Sequence, residues 1–262
     1  MEDVTMSVEK DRVIALVKEM KSIFLDSENS RKITEKGLAD YVTEVDFTVQ
    51  SVLCGKLKEA YPEIQFMGEE KDNSEIDITK PFWILDPVDG TTNLIHGFRL
   101  SAISLALCEG GKLVMGIIYQ PYTDELFYAE AGKGAFLNGD PIHVSGAKTM
   151  GDSLISIGTS PYRHDFADKN FEAFKKVFLD SQDIRRIGSA AIELAYVACG
   201  RSDAFFERNL KPWDYAAGVV LVREAGGNVT AFDGSEVALD KPCDIVAGNG
   251  VTNELLRTGY LD

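Results

Sequence analysis

The 262-residue chain is poor in the residues that build several common kinds of site. It has four cysteines, Cys54, Cys108, Cys199 and Cys243, far apart and with no C-x-x-C pair, which excludes a dithiol redox motif and leads us to expect buried free thiols. Its three histidines, His96, His143 and His164, show neither H-E-x-x-H nor any other ligand spacing. A metal bound here must therefore be held by oxygen. Cationic charge is scarce too: 27 Lys and Arg face 42 Asp and Glu, a formal net charge of −15, and the longest basic groups are pairs such as Lys175–Lys176 and Arg185–Arg186. Such a balance argues against general nucleic-acid binding and against a polybasic membrane-surface protein. No window approaches the roughly 18 uninterrupted apolar residues of a membrane span. Glu2 and Asp3 stand where a secretory signal carries lysines, so a cytoplasmic location is expected.

What is present suits a globular protein. At 45% hydrophobic and 26% charged residues the chain can bury a sizeable core, which excludes intrinsic disorder. Val13, Leu16, Val17, Met20 and Phe24 recur at helical spacing and predict a helix over 7–24. A polar stretch, 27–40, reads as a mobile loop. A second helix begins at Thr43, with Asp46 as its capping-box partner, carries Val49, Leu53 and Leu57 on one stripe, and stops before Pro62. Strands then follow at 64–67, 82–85, 101–108, 113–119 and 125–130, the last three joined by turns short enough for an antiparallel meander. From about residue 150 strands and helices alternate: strands at 154–157, 183–187, 204–206, 229–231 and 245–247, helices at 170–179, 190–198 and 215–225, and a short helix near Glu254. The expected division is an α+β half, 1–150, and an α/β half, 151–262.

The most informative stretch is Phe82-Trp83-Ile84-Leu85-Asp86-Pro87-Val88-Asp89-Gly90-Thr91-Thr92-Asn93. An apolar strand ends at a carboxylate, Pro87 limits the backbone, and a second carboxylate follows three residues on. The turn can expose the Val88 carbonyl, a ligand for hard cations such as Mg²⁺. Gly90 allows close approach, so the N–H groups of Gly90 and Thr91 could receive an anion. Two further acidic segments join it, Gly68-Glu69-Glu70 after another apolar strand and Pro212-Trp213-Asp214 at the head of an apolar helix. Taken alone, Asp214 reads as that helix's N-cap, and Glu69 and Glu70 read as a solvated pair. A carboxylate offers about four lone-pair sites, so capping and metal binding can coexist on one side chain.

Together, G-E-E, W-I-L-D-P-V-D-G-T-T-N and W-D-x-A-A-G followed by E-A-G-G resemble the three-part signature of the inositol monophosphatase family of Mg²⁺-dependent, lithium-sensitive phosphatases, in order and over nearly the whole chain. The resemblance implies a layered αβαβα sandwich of the inositol monophosphatase and fructose-1,6-bisphosphatase type, usually a homodimer. It implies metal ligands at Glu69, Asp86, the Val88 carbonyl, Asp89 and Asp214, with Asp46 as an acid near the reacting water. Glu69 and Thr91 would orient that water, and Gly90 and Thr91 would hold phosphate. Ser189, Ala190 and Glu207 would line a polyol pocket, Thr159 would contact substrate, and Lys36-Gly37 sits where relatives have a lid. Charge agrees with this: Glu69, Asp86, Asp89 and Asp214 carry four negative charges and a phosphate monoester brings two more, which two firmly held Mg²⁺ and a weaker third would balance. The implied reaction is direct attack on phosphorus by a metal-activated water, whose pKa falls to roughly 7 in favourable sites.

Three rival readings are weaker. A haloacid-dehalogenase phosphatase carries its acids two apart, not three as in Asp86 and Asp89. A two-carboxylate glycosidase has no use for Gly90-Thr91-Thr92 or a third distant acid. A non-catalytic phosphate-ligand sensor is the serious non-enzyme alternative, but nothing in the acid set looks damaged. The substrate expectation is a small phosphate ester, first inositol 1-phosphate, with fructose 1,6-bisphosphate, NADP or another sugar or nucleotide phosphate as alternatives.

Overall fold

A computed structural model describes residues 8–26 and 32–261. The first helical stripe is present but divided into α1 (Lys10–Glu19) and α2 (Lys21–Phe24). At Met20 the N–H reaches back only three residues, to the Val17 carbonyl at 3.1 Å, which tightens the turn and breaks the axis. Val13, Val17, Met20 and Phe24 nevertheless enter one core. Residues 27–31 lie outside the described residues. The rest of the expected loop is a hairpin of β1 (Ile33–Gly37) and β2 (Asp40–Thr43), antiparallel with Ile33 opposite Thr43. All five β1 residues are exposed, so this strand lacks the apolar alternation by which strands are recognised. The helix α3 (Glu44–Ala60) starts as the capping signal predicts: Thr43 Oγ1 accepts from the Val45 N–H at 3.2 Å, and Asp46 Oδ2 accepts from the Thr43 N–H at 2.8 Å.

β3 (Gln65–Gly68), β4 (Phe82–Asp89), the short α4 (Thr91–Ile95), β5 (Ala102–Glu109), β6 (Lys112–Gln120), β7 (Glu125–Glu130), β8 (Ala135–Leu137) and β9 (Asp140–Ile142) follow. Their seven strands form one sheet in sequence order, parallel between β3 and β4 and antiparallel elsewhere. The strand expected to end at Asp86 runs on to Asp89. Asp86 pairs with Ser104 and Asp89 with Ala102, so β4 advances three residues while β5 advances two. This is a bulge, and Pro87, which has no N–H for a ladder, sits inside it.

The bulge sets the geometry of the site. In a regular strand, residues three apart point to opposite faces. Ser104 and Ala102 are two apart on β5 and share a face, so their partners Asp86 and Asp89 share one too.

The later chain supplies β10 (Leu154–Ile157), α5 (Ala167–Asp180), β11 (Asp183–Arg185), α6 (Ala190–Ala198), β12 (Ala204–Leu210), α7 (Pro212–Glu224), β13 (Asn228–Ala231), β14 (Cys243–Gly248) and α8 (Gly250–Gly259). Its five strands form a mixed sheet in the order β11-β10-β12-β14-β13. β12 runs four residues past the expected end, to Leu210, and carries Glu207. Helices α6 and α7 fill the space between the sheets: Leu194, Ala217 and Val220 share a core with Ile84 and Phe127 on one side and Phe205 and Ile245 on the other. Gly116 of β6 makes this closeness possible, because a Cβ there would lie 2.4 Å from the Ala217 carbonyl oxygen. Helices α1 to α3 cover the outer face of the seven-stranded sheet. Phe174 and Val177 of α5 and Leu256 of α8 cover the outer face of the other. The layers therefore run αβαβα.

All four cysteines are free. Only Cys108 is buried, and Cys54, Cys199 and Cys243 are half-buried rather than sealed in the core as expected. Among the described residues no helix is long and apolar enough to cross a membrane.

Candidate active site

Asp214 joins Asp86 and Asp89 from the first turn of α7. It is not the N-cap of α7: Pro212 takes the first helical position, Lys211 is the cap, and Asp214 sits at the third position, where its Oδ2 accepts the Lys211 N–H at 2.6 Å. One carboxylate oxygen from each of Asp86, Asp89 and Asp214 lies within 4.8 Å of the others. Asp89 also reaches α6. Its Oδ2 accepts from the Ser189 hydroxyl at 2.5 Å and from the Ala191 N–H at 2.6 Å. The cluster thus ties β4 to the starts of two helices from the later half.

These acids are crowded: Asp86 and Asp89 are buried, and Asp214 and Glu69 are half-buried. Burial, and then the neighbouring charges of Glu69, Asp89 and Asp214, push Asp86 well above the usual carboxylate range. Burial and the charges of Asp89 and Glu69 do the same to Asp214. Burial lifts Asp89 to about 6, against the lowering effect of its Ser189 and Ala191 bonds. Glu69 is lifted to about 7 by burial, reinforced by Glu70 and Asp46 and opposed by Lys36. Full ionisation near neutral pH is unfavourable without added positive charge. Oxygen donors that converge, are largely buried and repel one another fit a hard divalent cation.

Around the cluster, single residues serve both the fold and the site. Asp46 caps α3 with Oδ2, while its Oδ1 accepts from the Thr91 hydroxyl at 3.1 Å, so capping and site roles use different oxygens. Thr91 Oγ1 is also 3.0 Å from the Val88 carbonyl, which places that carbonyl on the site side of the bulge. Burial raises Asp46 to about 6, opposed by its Thr43 bonds. Gly90 has φ +89° and caps α4, and a Cβ there would come within 3.0 Å of the Leu100 carbonyl and 3.1 Å of the Gly188 carbonyl.

A cleft opens beside the acids, walled by Gly90, Thr91, Ser189, Ala190, Glu207 and Asp214. Ser189 is also the N-cap of α6, accepting from the Ile192 N–H at 3.3 Å. Glu207 Oε1 accepts the Ser160 N–H at 2.8 Å, and burial raises its carboxyl to about 7 while Arg186 opposes the rise. Thr159 is not part of the cleft wall, and its hydroxyl lies 3.5 Å from Arg186 Nη2. Lys36, on the β1–β2 hairpin, bonds Glu70 Oε1 at 2.7 Å and lies 3.5 Å from Glu69 and 3.6 Å from Asp40. Arg186, Tyr162 and Glu193, which sequence reasoning did not place in the cleft, line it as well. Nothing in their spacing could have indicated this, because the loop folds and the turn of α6 that aim them are tertiary.

The family model described as inositol monophosphatase family matches residues 2–259. The chain belongs to the inositol monophosphatase family. An inositol-1-monophosphatase of Mesorhizobium japonicum is 40% identical over 225 residues, 86% of this chain and 84% of the relative. A Nus factor SuhB of Pseudomonas aeruginosa is 42% identical over 222 residues, 83% of this chain and 81% of the relative. Among solved structures, the extragenic suppressor protein suhB of Bartonella henselae superposes with a TM-score of 0.88 at 36% identity, covering 94% of this chain and 96% of its own.

Proposed function

We propose that this member of the inositol monophosphatase family is a Mg²⁺-dependent phosphatase of small phosphate monoesters, with inositol 1-phosphate as its first substrate. The observation that carries the reading is the convergence of Asp86, Asp89 and Asp214 within 4.8 Å at the mouth of a cleft walled by Gly90 and Thr91. Glu69, Asp86, the Val88 carbonyl, Asp89 and Asp214 would hold two to three Mg²⁺ ions. When bound, the ions would supply the counter-charge to the ester and the acidity that makes water a nucleophile near neutral pH.

The chain's own groups do the rest. Backbone N–H groups of Gly90 and Thr91, at the start of α4, hold the phosphate oxygens. Glu69 and Thr91 Oγ1 orient the attacking water, and Asp46 Oδ1 fixes the Thr91 hydroxyl. Ser189 steadies Asp89, and with Ala190 leaves room in the cleft for a polyol. Glu207 accepts hydrogen bonds from polyol hydroxyls. Thr159, which stands off the cleft wall, is not assigned a role. The same reading carries inhibition by Li⁺, a homodimer and a cytoplasmic location.

The test is phosphate release from a panel of esters: inositol 1-phosphate, fructose 1,6-bisphosphate, NADP and a nucleoside monophosphate. Activity is expected with Mg²⁺, abolished by EDTA, reduced by Li⁺, and at least about a hundredfold lower in Asp89→Asn. Undiminished hydrolysis in EDTA or in Asp89→Asn sinks the metal-centred reading. Tight phosphate-ester binding without turnover would favour a sensor.

A further inference from the structure

Glu193 lies on α6 and is 1% exposed, yet it lines the same cleft as Glu207 and Arg186. Its two oxygens are unequally occupied. Oε1 accepts the Ile187 N–H at 2.6 Å and so supports the turn that carries Gly188 and Ser189. Oε2 is one of three buried side-chain polar atoms that have no hydrogen-bond partner among the described residues, and Glu193 is the one of those three residues that lines this cleft. Ser156, whose hydroxyl neighbours the carboxyl and lowers its pKa, also pairs with Ser202 Oγ at 2.8 Å.

Support of the Ile187 turn uses one oxygen and leaves the other unexplained. A buried polar atom without a partner points to an absent ligand. The cleft wall near it is polar and made for hydroxyls: Glu207 Oε1 is already occupied by Ser160, and its other oxygen is open to an incoming donor. Burial also raises Glu193 to about 8, against its Ser156 and Ile187 contacts, so near neutral pH the carboxyl keeps a proton it can donate. The charged groups around it are Glu207, which raises it, and Arg186, which lowers it.

We propose that Glu193 is a specificity-determining residue that hydrogen-bonds a hydroxyl of the substrate on the side remote from its phosphate, beside the hydroxyls read by Glu207. The inference rests on the phosphatase reading and deepens it: the substrate class becomes a polyol phosphate with two separate hydroxyls read by two acids. Esters lacking hydroxyls at that position are then poor substrates, because a site built to bond a hydroxyl strongly disfavours the analogue without it.

The experiment compares kcat/KM for inositol 1-phosphate and for phenyl phosphate, whose ring carries no hydroxyl, in the wild type, Glu193→Ala and Glu193→Gln. In Glu193→Ala the preference for inositol 1-phosphate should fall at least about tenfold, mainly through KM. Glu193→Gln should restore most of it, because the amide keeps an acceptor for Ile187 and offers N–H donors. A series of monodeoxyinositol 1-phosphates on the wild type should contain one member that is about tenfold poorer and loses nothing further in Glu193→Ala. Equal losses on both esters in Glu193→Ala, or a deoxy series hydrolysed as well as the parent, overturn the inference. If Glu193→Ala does not fold, Glu193→Gln and the deoxy series decide. Hydrolysis of phenyl phosphate with no preference for inositol 1-phosphate overturns this inference and leaves the phosphatase reading standing. Hydrolysis of neither overturns both.

Discussion

At the scale of single residues, the acids of the site are held at a cost to the stability of the metal-free protein. Burial raises the folded-state pKa of Asp89 to about 6 and of Glu69 to about 7, above their ordinary values of 3.8 and 4.5. A carboxyl whose folded pKa is raised binds more protons in the folded state than in the unfolded one. Its stabilising effect on the metal-free protein is complete below about pH 4 and is lost as pH climbs through 6 and 7. On the proposed reading Mg²⁺ displaces those protons, so it should bind more tightly at higher pH. The gain in Tm from saturating Mg²⁺ over EDTA should therefore be larger at pH 7.5 than at pH 5.5, measured by thermal melts at both. Equal gains at the two pH values would mean that these carboxyls are not the metal's ligands.

At the scale of elements, the first turn of α3 does two jobs, and two substitutions separate them. Thr43→Ala removes the side-chain cap and should cost about 1 kcal/mol of stability while leaving the Asp46–Thr91 bond in place. Asp46→Asn also puts a donor where an acceptor is needed, and should lower kcat by at least about tenfold. Melting curves and steady-state kinetics on both variants check this, and a kcat loss in Thr43→Ala as large as that in Asp46→Asn would break the distinction.

The capping signal at Thr43 and Asp46 was legible because it is local, and the stripe of α1 because apolar spacing survives a break in the axis. The β1–β2 hairpin was not legible, since β1 buries nothing and so leaves no pattern. The acids were legible as three motifs. The bulge that turns Asp86 and Asp89 to one side was not, because it is fixed by pairing with β5. Asp214 was misplaced by three positions within its helix start, because a cap and a third-position acid look alike when Pro and Trp precede them. Arg186, Tyr162 and Glu193 became visible as cleft residues only once the loops had folded.

At the scale of the whole molecule, the two sheets belong to separate stretches of chain but their middle layer does not divide. Helices α6 and α7 come from the later stretch and cover Ile84, Ile118 and Phe127 on the inner face of the earlier sheet. A fragment of residues 1–150 should leave that face open and melt without cooperativity, and co-expression with 151–262 should restore a cooperative transition. A cooperative melt of 1–150 alone would mean that the shared layer is dispensable.

The bulge in β4 has one more consequence, for genetics. Two acids spaced two apart on a regular strand would also have shared a face, but every carbonyl between them would be free to serve the ladder. The extra residue leaves Val88 without a partner on β5 and its carbonyl beside Thr91 Oγ1. That oxygen belongs to the main chain, so no replacement of the Val88 side chain removes it. Side-chain scanning would pass over the position as a tolerant apolar site. An ester substituted for the amide following Val88, which weakens the carbonyl as a donor to a cation, would reveal what scanning misses.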